Sequence, residues 1–280
     1  MRNIPRPNRD LTADFDLCVR PTRGAKRQAL KARRLDTLAQ YNIHAMAGGH
    51  PNLNLDSSTW SNEDKKWLRA LYKETYQGGR LEDLRASAFS QAKNCCPLCS
   101  VGTLKTLDHH LPKVIQPALS INALNLVPAC RDCNSSKEEA YSLNPTEQFV
   151  HAYLDVIPAN VHFLNVAPFV GGTLSPNYSI VPNGVMNQDL VLRLQHQFSK
   201  LNLNLLYADL AIGLFGERRD HWLDIAISSS VPSLLASLVK EANAAIAERG
   251  INHWKPVFLS ALATSPVFSQ NTIAILQRQI

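Results

Sequence analysis

The sequence predicts an α+β fold, mostly helical, on three observations. Apolar residues recur at helical spacing through nearly all of residues 186–280, as in Leu190/Leu194/Phe198 and Leu234/Leu235/Leu238/Val239. Two stretches, 103–127 and 162–181, hold short β-prone runs broken by Pro and Gly. Two Cys-x-x-Cys pairs, Cys96/Cys99 and Cys130/Cys133, bracket the first of these stretches. Four thiolates in two such knuckles are the wrapping of a structural Zn²⁺, which compensates a short segment for the core it cannot build. These features divide the chain into residues 1–93, a basic arm and helical region; 94–157, a small metal-held unit; and 158–280, a mainly helical domain.

Composition narrows the class. With 280 residues, 45% apolar and 19% charged, the chain is long enough for an ample core and has the make-up of a soluble globular protein. It has no uncharged apolar run of about 18 residues, so no membrane span is expected. The opening MRNIPRPNRD lacks the apolar stretch of a secretory signal. Four of the six cysteines sit in the knuckles, leaving Cys18 and Cys95 as expected inert thiols. That clustering fits metal binding in a reducing cytoplasm better than a disulfide framework.

The net charge of +6 is unevenly placed. Residues 1–40 hold ten Lys/Arg against four Asp/Glu, which already gives +6, and the rest of the chain is balanced. Most of the excess lies in Arg20–Arg34, RPTRGAKRQALKARR. A basic stripe of this density, with Arg20, Arg23, Lys26 and Arg27 at its head, suits a phosphate backbone; the competing reading is a solvated helix face.

The elements follow in order. Residues 1–20, rich in Pro and Arg, read as an extended arm, and 25–40 as a helix with Leu30, Arg34 and Leu38 on one face. Gly48-Gly49 and residues 51–59 mark a loop. Ser61 and Asp64 have capping-box spacing and open a helix with a core stripe of Trp67, Leu68, Leu71, Tyr72 and Tyr76. A further helix covers 81–92. Short strands are expected at Thr103–Leu107, ending at Asp108, and at Leu124–Val127, with Pro112 and Pro117 excluding regular structure just beyond the first. Cys130 turns into a helix through Lys137 and Glu139. Asn144-Pro145 is a cap and first-turn signal for another, carrying Phe149, Val150, Tyr153 and Leu154. Strands are expected at His162–Val166 and Tyr178–Val181, then helices at 186–200, 203–227, 231–249, 254–263 and 270–279. Glu217–Asp220 reads as a solvated helix end. His44, His50, His151, His162, His196, His221 and His253 show no metal spacing and are expected at the surface or in satisfied core positions.

Between the knuckles the polar residues are of another kind. Asp108 and Asn134 offer oxygen, which suits Mg²⁺ or Mn²⁺ rather than a thiol-seeking ion. His109 offers an imidazole, the side chain whose ordinary pKa suits deprotonating a water near neutrality. The order Asp108-His109, Pro112, Asn125-Leu126, Cys130-x-x-Cys133-Asn134 and Lys137 resembles the HNH endonuclease motif. The resemblance covers Cys95–Lys137 and is silent on the flanks. It implies a ββα-metal nuclease unit with structural zinc: His109 as general base, Asp108 and Asn134 as ligands of one catalytic Mg²⁺ or Mn²⁺, and Asn125 positioning the His109 loop. His110 departs from the family, which usually carries an apolar or aromatic residue there. A shifted frame would make His109 a ligand and His110 the base, but Pro112 falls in register with Asp108-His109. Lys113 and Lys137 are candidates for phosphate contact or ordinary solvated lysines.

Expected from this is a metal-dependent endonuclease acting on DNA. The resemblance extends to standalone HNH proteins of bacteria and phages, some of which act in anti-phage defence beside an ATPase partner. The alternatives are a non-catalytic zinc-knuckle module that binds nucleic acid, or a nuclease silent until a partner such as an ATPase releases it.

Overall fold

Asp10 starts the first helix: its carboxylate accepts from the N–H groups of Thr12 and Ala13, and α1 runs Leu11–Val19 with Phe15, Cys18 and Val19 buried. In this computed structural model, which describes residues 1–278, the expected arm over 1–20 is thus limited to the first ten residues. Nor does that segment project. Met1 and Ile4 are buried, and the amides of Arg2 and Ile4 donate to the carbonyls of Pro97 and Ala152. The single helix expected over 25–40 is two, α2 (Gly24–Ala32) and α3 (Arg34–Met46), parting at Arg33. The Arg33 guanidinium pairs with both Asp36 and Asp64, which fixes the break.

Ser61 caps α4 (Asn62–Ala70) by accepting from the Asp64 amide, and the chain then tightens into a 3₁₀ turn over Leu71–Thr75. Leu68, Leu71 and Tyr72 enter the core, but Tyr76 stays 49% exposed beside the Arg85 guanidinium, so the expected apolar stripe stops short of it. Next comes α5 (Glu82–Gln91), burying Leu84 and Ala88.

The first sheet pairs β1 (Thr106–His109) antiparallel with β2 (Leu126–Ala129), placing Asp108 opposite Val127 and His109 opposite Leu126. Both strands lie two or three residues later than expected. Thr103 instead bridges Cys95 to close the first knuckle, and residues 122–125 form a turn in which the Asn122 side chain accepts from the Leu124 amide. After β2, Cys130 caps α6 (Arg131–Lys137). The helix expected after Asn144-Pro145 is only a 3₁₀ turn, Pro145–Glu147. Side chains replace the helical carbonyls as acceptors beyond it: Gln197 takes the Val150 amide at 3.1 Å, Asp155 the His151 amide at 2.8 Å, and His151 Nδ1 the Tyr153 amide at 3.2 Å.

By its contacts the chain forms two compact units. The first, Met1–Ile157 with Leu192–Leu201, contains everything above; its core gathers Phe15, Leu30, Leu68, Leu71, Leu81, Leu84, Leu107 and Leu126. The second is Pro158–Val191 with Asn202–Ile280. It holds a hairpin of β3 (Leu164–Val170) and β4 (Thr173–Ile180) turning at Gly171-Gly172. With it are the start of α7 (Gln188–Lys200), then α8 (Leu203–Ser228), α9 (Val231–Arg249), α10 (Trp254–Thr264) and α11 (Pro266–Gln277). Tyr207, Phe215, Trp222, Leu234, Phe258 and Phe268 fill its core. Ser265 caps α11 with Pro266 at its first position, four residues before the expected start, and residue 279 of that expected helix lies outside the described residues. Glu217–Asp220 sits inside α8, not at an end. The fold is therefore α+β and mostly helical, with two small sheets. Among the described residues no helix is long and apolar enough to cross a membrane.

Candidate functional site

The two knuckles converge. Cys96, Cys99, Cys130 and Cys133 are all buried, and their sulfurs lie within 4.8 Å of one another. Four sulfurs on one tetrahedral zinc sit roughly 3.8 Å apart, given a Zn–S distance of about 2.3 Å; the Cys99 and Cys130 sulfurs are 3.9 Å apart. The Gly102 amide donates to Cys99 Sγ at 3.3 Å and the Cys133 amide to Cys130 Sγ at 3.4 Å, orienting the sulfurs from the backbone. These four residues could hold a metal such as zinc. The site also depends on Gly102. A Cβ there would lie 2.6 Å from Cys130 Cβ and 2.7 Å from its sulfur.

Beside the cysteines, β1 and α6 meet along an open cleft of about 330 Å³ whose lining includes Asp108, His109, Lys113, Asn134, Glu138 and Glu139. β1 supplies Asp108 and His109, α6 supplies Asn134. His109 is 8% exposed, and its Nε2 lies 3.0 Å from the Ser120 carbonyl. A carbonyl only accepts, so Nε2 carries the proton and Nδ1 keeps a free lone pair. Burial pushes the ring down to about 3, leaving it neutral at physiological pH. Tyr72 backs it, ring to ring at 4.5 Å, and anchors its own hydroxyl on the Leu107 carbonyl.

Lys137 does not reach solvent. At 2% exposed it donates from Nζ to the His109 carbonyl at 2.8 Å and pairs with Asp108 Oδ2 at 3.0 Å. The readings of Lys137 as a solvated lysine or a direct phosphate contact give way to an internal role, because both bonds point into the β1–α6 junction. Burial raises Asp108 above the usual carboxylate range, and the Lys137 ion pair opposes that shift. Lys113 lies on the cleft with its Nζ 4.3 Å from the Tyr72 ring centroid. Burial lowers its pKa.

Asn125 is fully buried and clamps the loop after His109. Its Oδ1 accepts from the Leu111 amide at 2.8 Å, while Nδ2 donates to the carbonyls of Leu111 at 3.0 Å and Leu119 at 3.3 Å. His110 does not line the cleft; its ring packs 4.2 Å from that of His151. The structure therefore separates the two adjacent histidines by environment, with His109 on the side of Asp108 and Asn134.

His110 belongs to a cluster that the sequence did not reveal. His44, His50, His110 and His151 form a chain of ring contacts with centroids 4.2–6.4 Å apart, and His50 Nε2 lies 3.1 Å from Asp155, itself bonded to Arg193. Gly49 makes room for it, since a Cβ there would fall 2.1 Å from the His151 ring. The fully buried His44 makes no well-formed side-chain hydrogen bond among the described residues, its ring lying only loosely against the Gly49 backbone. Burial, with His50 nearby, lowers His44 to about 4, and burial holds His110 and His151 well below the ordinary value. The core alternative expected for His44, His50 and His151 thus describes them, with His50 and His151 hydrogen-bonded, and positions about 100 apart in sequence share one interior.

Among the N-terminal cations, Arg9, Arg33 and Arg34 are taken up by acids. Arg20, Arg23, Lys26 and Arg27 form no close ion pair among the described residues, although Arg34 and, after it, Arg20 lower the pKa of nearby Asp16. Arg20 and Arg27 line a groove of about 430 Å³ with Lys31, Arg34, Asp16, Phe15 and Val19; Arg23 and Lys26 lie outside it.

No family model and no solved structure matches the chain. Over 114 residues it is 32% identical to Protein ea31 of Escherichia phage lambda. That stretch is 39% of this chain and 38% of the phage protein, so the likeness concerns well under half of either.

Proposed function

We propose that this chain is a metal-dependent HNH-type endonuclease that hydrolyses phosphodiester bonds in DNA. The observation that carries the reading is the cleft in which β1 and α6 bring a neutral His109, the Asp108 carboxylate and the Asn134 amide together beside a four-cysteine clasp. β1, β2 and α6 then make up a ββα-metal unit with zinc as its structural ion. The donor set fits a hard divalent ion, since both groups offer oxygen and two ligands leave places for water and phosphate. A Mg²⁺ or Mn²⁺ ion held by Asp108 and Asn134 would polarise the scissile phosphate and stabilise charge on the leaving 3′-oxygen.

His109 does the proton chemistry. With Nε2–H spent on the Ser120 carbonyl, Nδ1 is the nitrogen that takes the proton of the attacking water. Asn125 holds the loop that carries this histidine, and Lys113, with Arg20 and Arg27 in the α1–α2 groove, offers cations to the phosphate backbone. The stretch shared with a phage protein is compatible with a phage-related role such as defence; a nuclease silent until an ATPase partner releases it is the alternative.

The test is plasmid nicking by purified, zinc-loaded protein with Mg²⁺ or Mn²⁺, beside His109→Ala. DNA binding without cleavage, with or without an ATPase partner, would place the chain among zinc-knuckle binding modules instead.

A further inference from the structure

The proposed ion site contains one anion and, built into it, one cation. Asp108 is the single carboxylate of the donor pair, and Asn134 is neutral. Lys137 Nζ lies 3.0 Å from Asp108 Oδ2, is bonded to the His109 carbonyl at 2.8 Å, and is 2% exposed. It cannot relax into solvent when another cation arrives. The nearby Glu138 and Glu139 are exposed, and Glu138 already faces Lys200 at 3.4 Å, so water screens most of what they contribute.

We propose that Lys137 is an internal counter-ion that keeps the cleft's affinity for a free divalent ion low, so that the ion is held firmly only together with a nucleic-acid phosphate. This rests on the nuclease reading and adds a rule for loading. Any cation taking the other oxygen of Asp108 meets the Lys137 ammonium at short range, where little water intervenes. A bound phosphodiester supplies the missing negative charge and further oxygen ligands, which is how sites for Mg²⁺ are commonly completed. Lys137 also fixes the positions of Asp108 and His109 relative to α6, so the same side chain orients the site and weakens its hold on the bare ion.

A lysine that merely held the fold would, on removal, weaken both ion binding and activity. A counter-ion gives opposite signs. The experiment measures Mn²⁺ binding by electron paramagnetic resonance on the zinc-loaded full chain carrying His109→Ala, with and without a double-stranded oligonucleotide, and with Asp108→Ala as the control for ions bound by DNA itself. The oligonucleotide should tighten Mn²⁺ binding about 10-fold or more, and adding Lys137→Met should tighten it by a similar factor without DNA. Lys137→Arg should behave like the parent. Equal Mn²⁺ affinity with and without DNA overturns the proposal, as does weaker binding in a folded Lys137→Met protein. Should Lys137→Met lose its zinc, Lys137→Gln, which keeps a donor for the His109 carbonyl while removing the charge, takes its place, and the same tightening without DNA is expected. Cleavage by the wild-type chain tests the nuclease reading separately, since Mn²⁺ binding is read here without turnover.

Discussion

Asn125 grips Leu111 by both edges of its amide, accepting the Leu111 N–H at 2.8 Å and donating to the Leu111 carbonyl at 3.0 Å. This side chain on the turn before β2 thereby copies a strand partner and sets where the chain goes after His109. Replacing it strands buried backbone groups, each worth about 1–3 kcal/mol. Asn125→Ala should therefore lower the urea midpoint clearly and reduce cleavage, while zinc content stays at the wild-type level. Asn125→Asp, which sets an ionisable carboxylate against the Leu111 and Leu119 carbonyls in a buried position, should cost at least as much.

Gly102 and Gly213 form a contrasting pair. Gly102→Ala drives a methyl into Cys130 and should lower zinc occupancy and destabilise the first unit. Gly213 is exposed within α8 with nothing near its Cβ position, so Gly213→Ala should stabilise by about 1 kcal/mol through helix propensity. Metal analysis and thermal melts check both. Chelation of the wild-type protein should reproduce the Gly102→Ala phenotype, because the ion supplies folding energy.

The buried histidines make folding less favourable in acid. His44 sits at about 4 in the folded protein against 6.5 in an unfolded chain, and His110 and His151 are also depressed. The folded state therefore refuses protons that the unfolded state accepts. Stability from this source is complete above pH 6.5 and is lost as pH falls from there toward 4; for His44 alone the loss is on the order of 3 kcal/mol. His44→Phe should flatten the decline of unfolding free energy across that window by about one proton. An unchanged slope in urea titrations would show that His44 is not protonated on unfolding there.

What could be read in the sequence was whatever repeats within a short span. The cysteine pairs and the apolar stripes of α7 to α10 are local patterns, so their places are close to those expected. α1 leaves a local signal too. Asp10 is a good cap, and Phe15, Cys18 and Val19 have helical spacing, yet the Pro and Arg residues around them suggested an arm. The missing helix after Pro145 had a good cap too; there, side-chain acceptors from Gln197 and Asp155 won the backbone amides. Lys137, Gly102 and the histidine cluster were beyond reach, because each owes its role to a neighbour distant in sequence. Lys137 looks like any helix-end lysine until β1 lies across it.

Surface cations should divide by position. Arg20, Arg27 and Lys31 share a groove, so their joint replacement by Ala should make the dependence of log K on log salt for DNA binding shallower by about 2–3. Arg23→Ala with Lys26→Ala, both outside the groove, should change it less. Filter binding at several salt concentrations distinguishes the two.

Plasmid cleavage by wild-type and His109→Ala proteins with matched zinc content shows whether His109 is the base of a phosphodiester hydrolase. Nicking should depend on Mg²⁺ or Mn²⁺, fall by about 100-fold or more in His109→Ala and survive in His110→Ala. Cleavage undiminished in His109→Ala, or lost only in His110→Ala, would show that His109 is not the base.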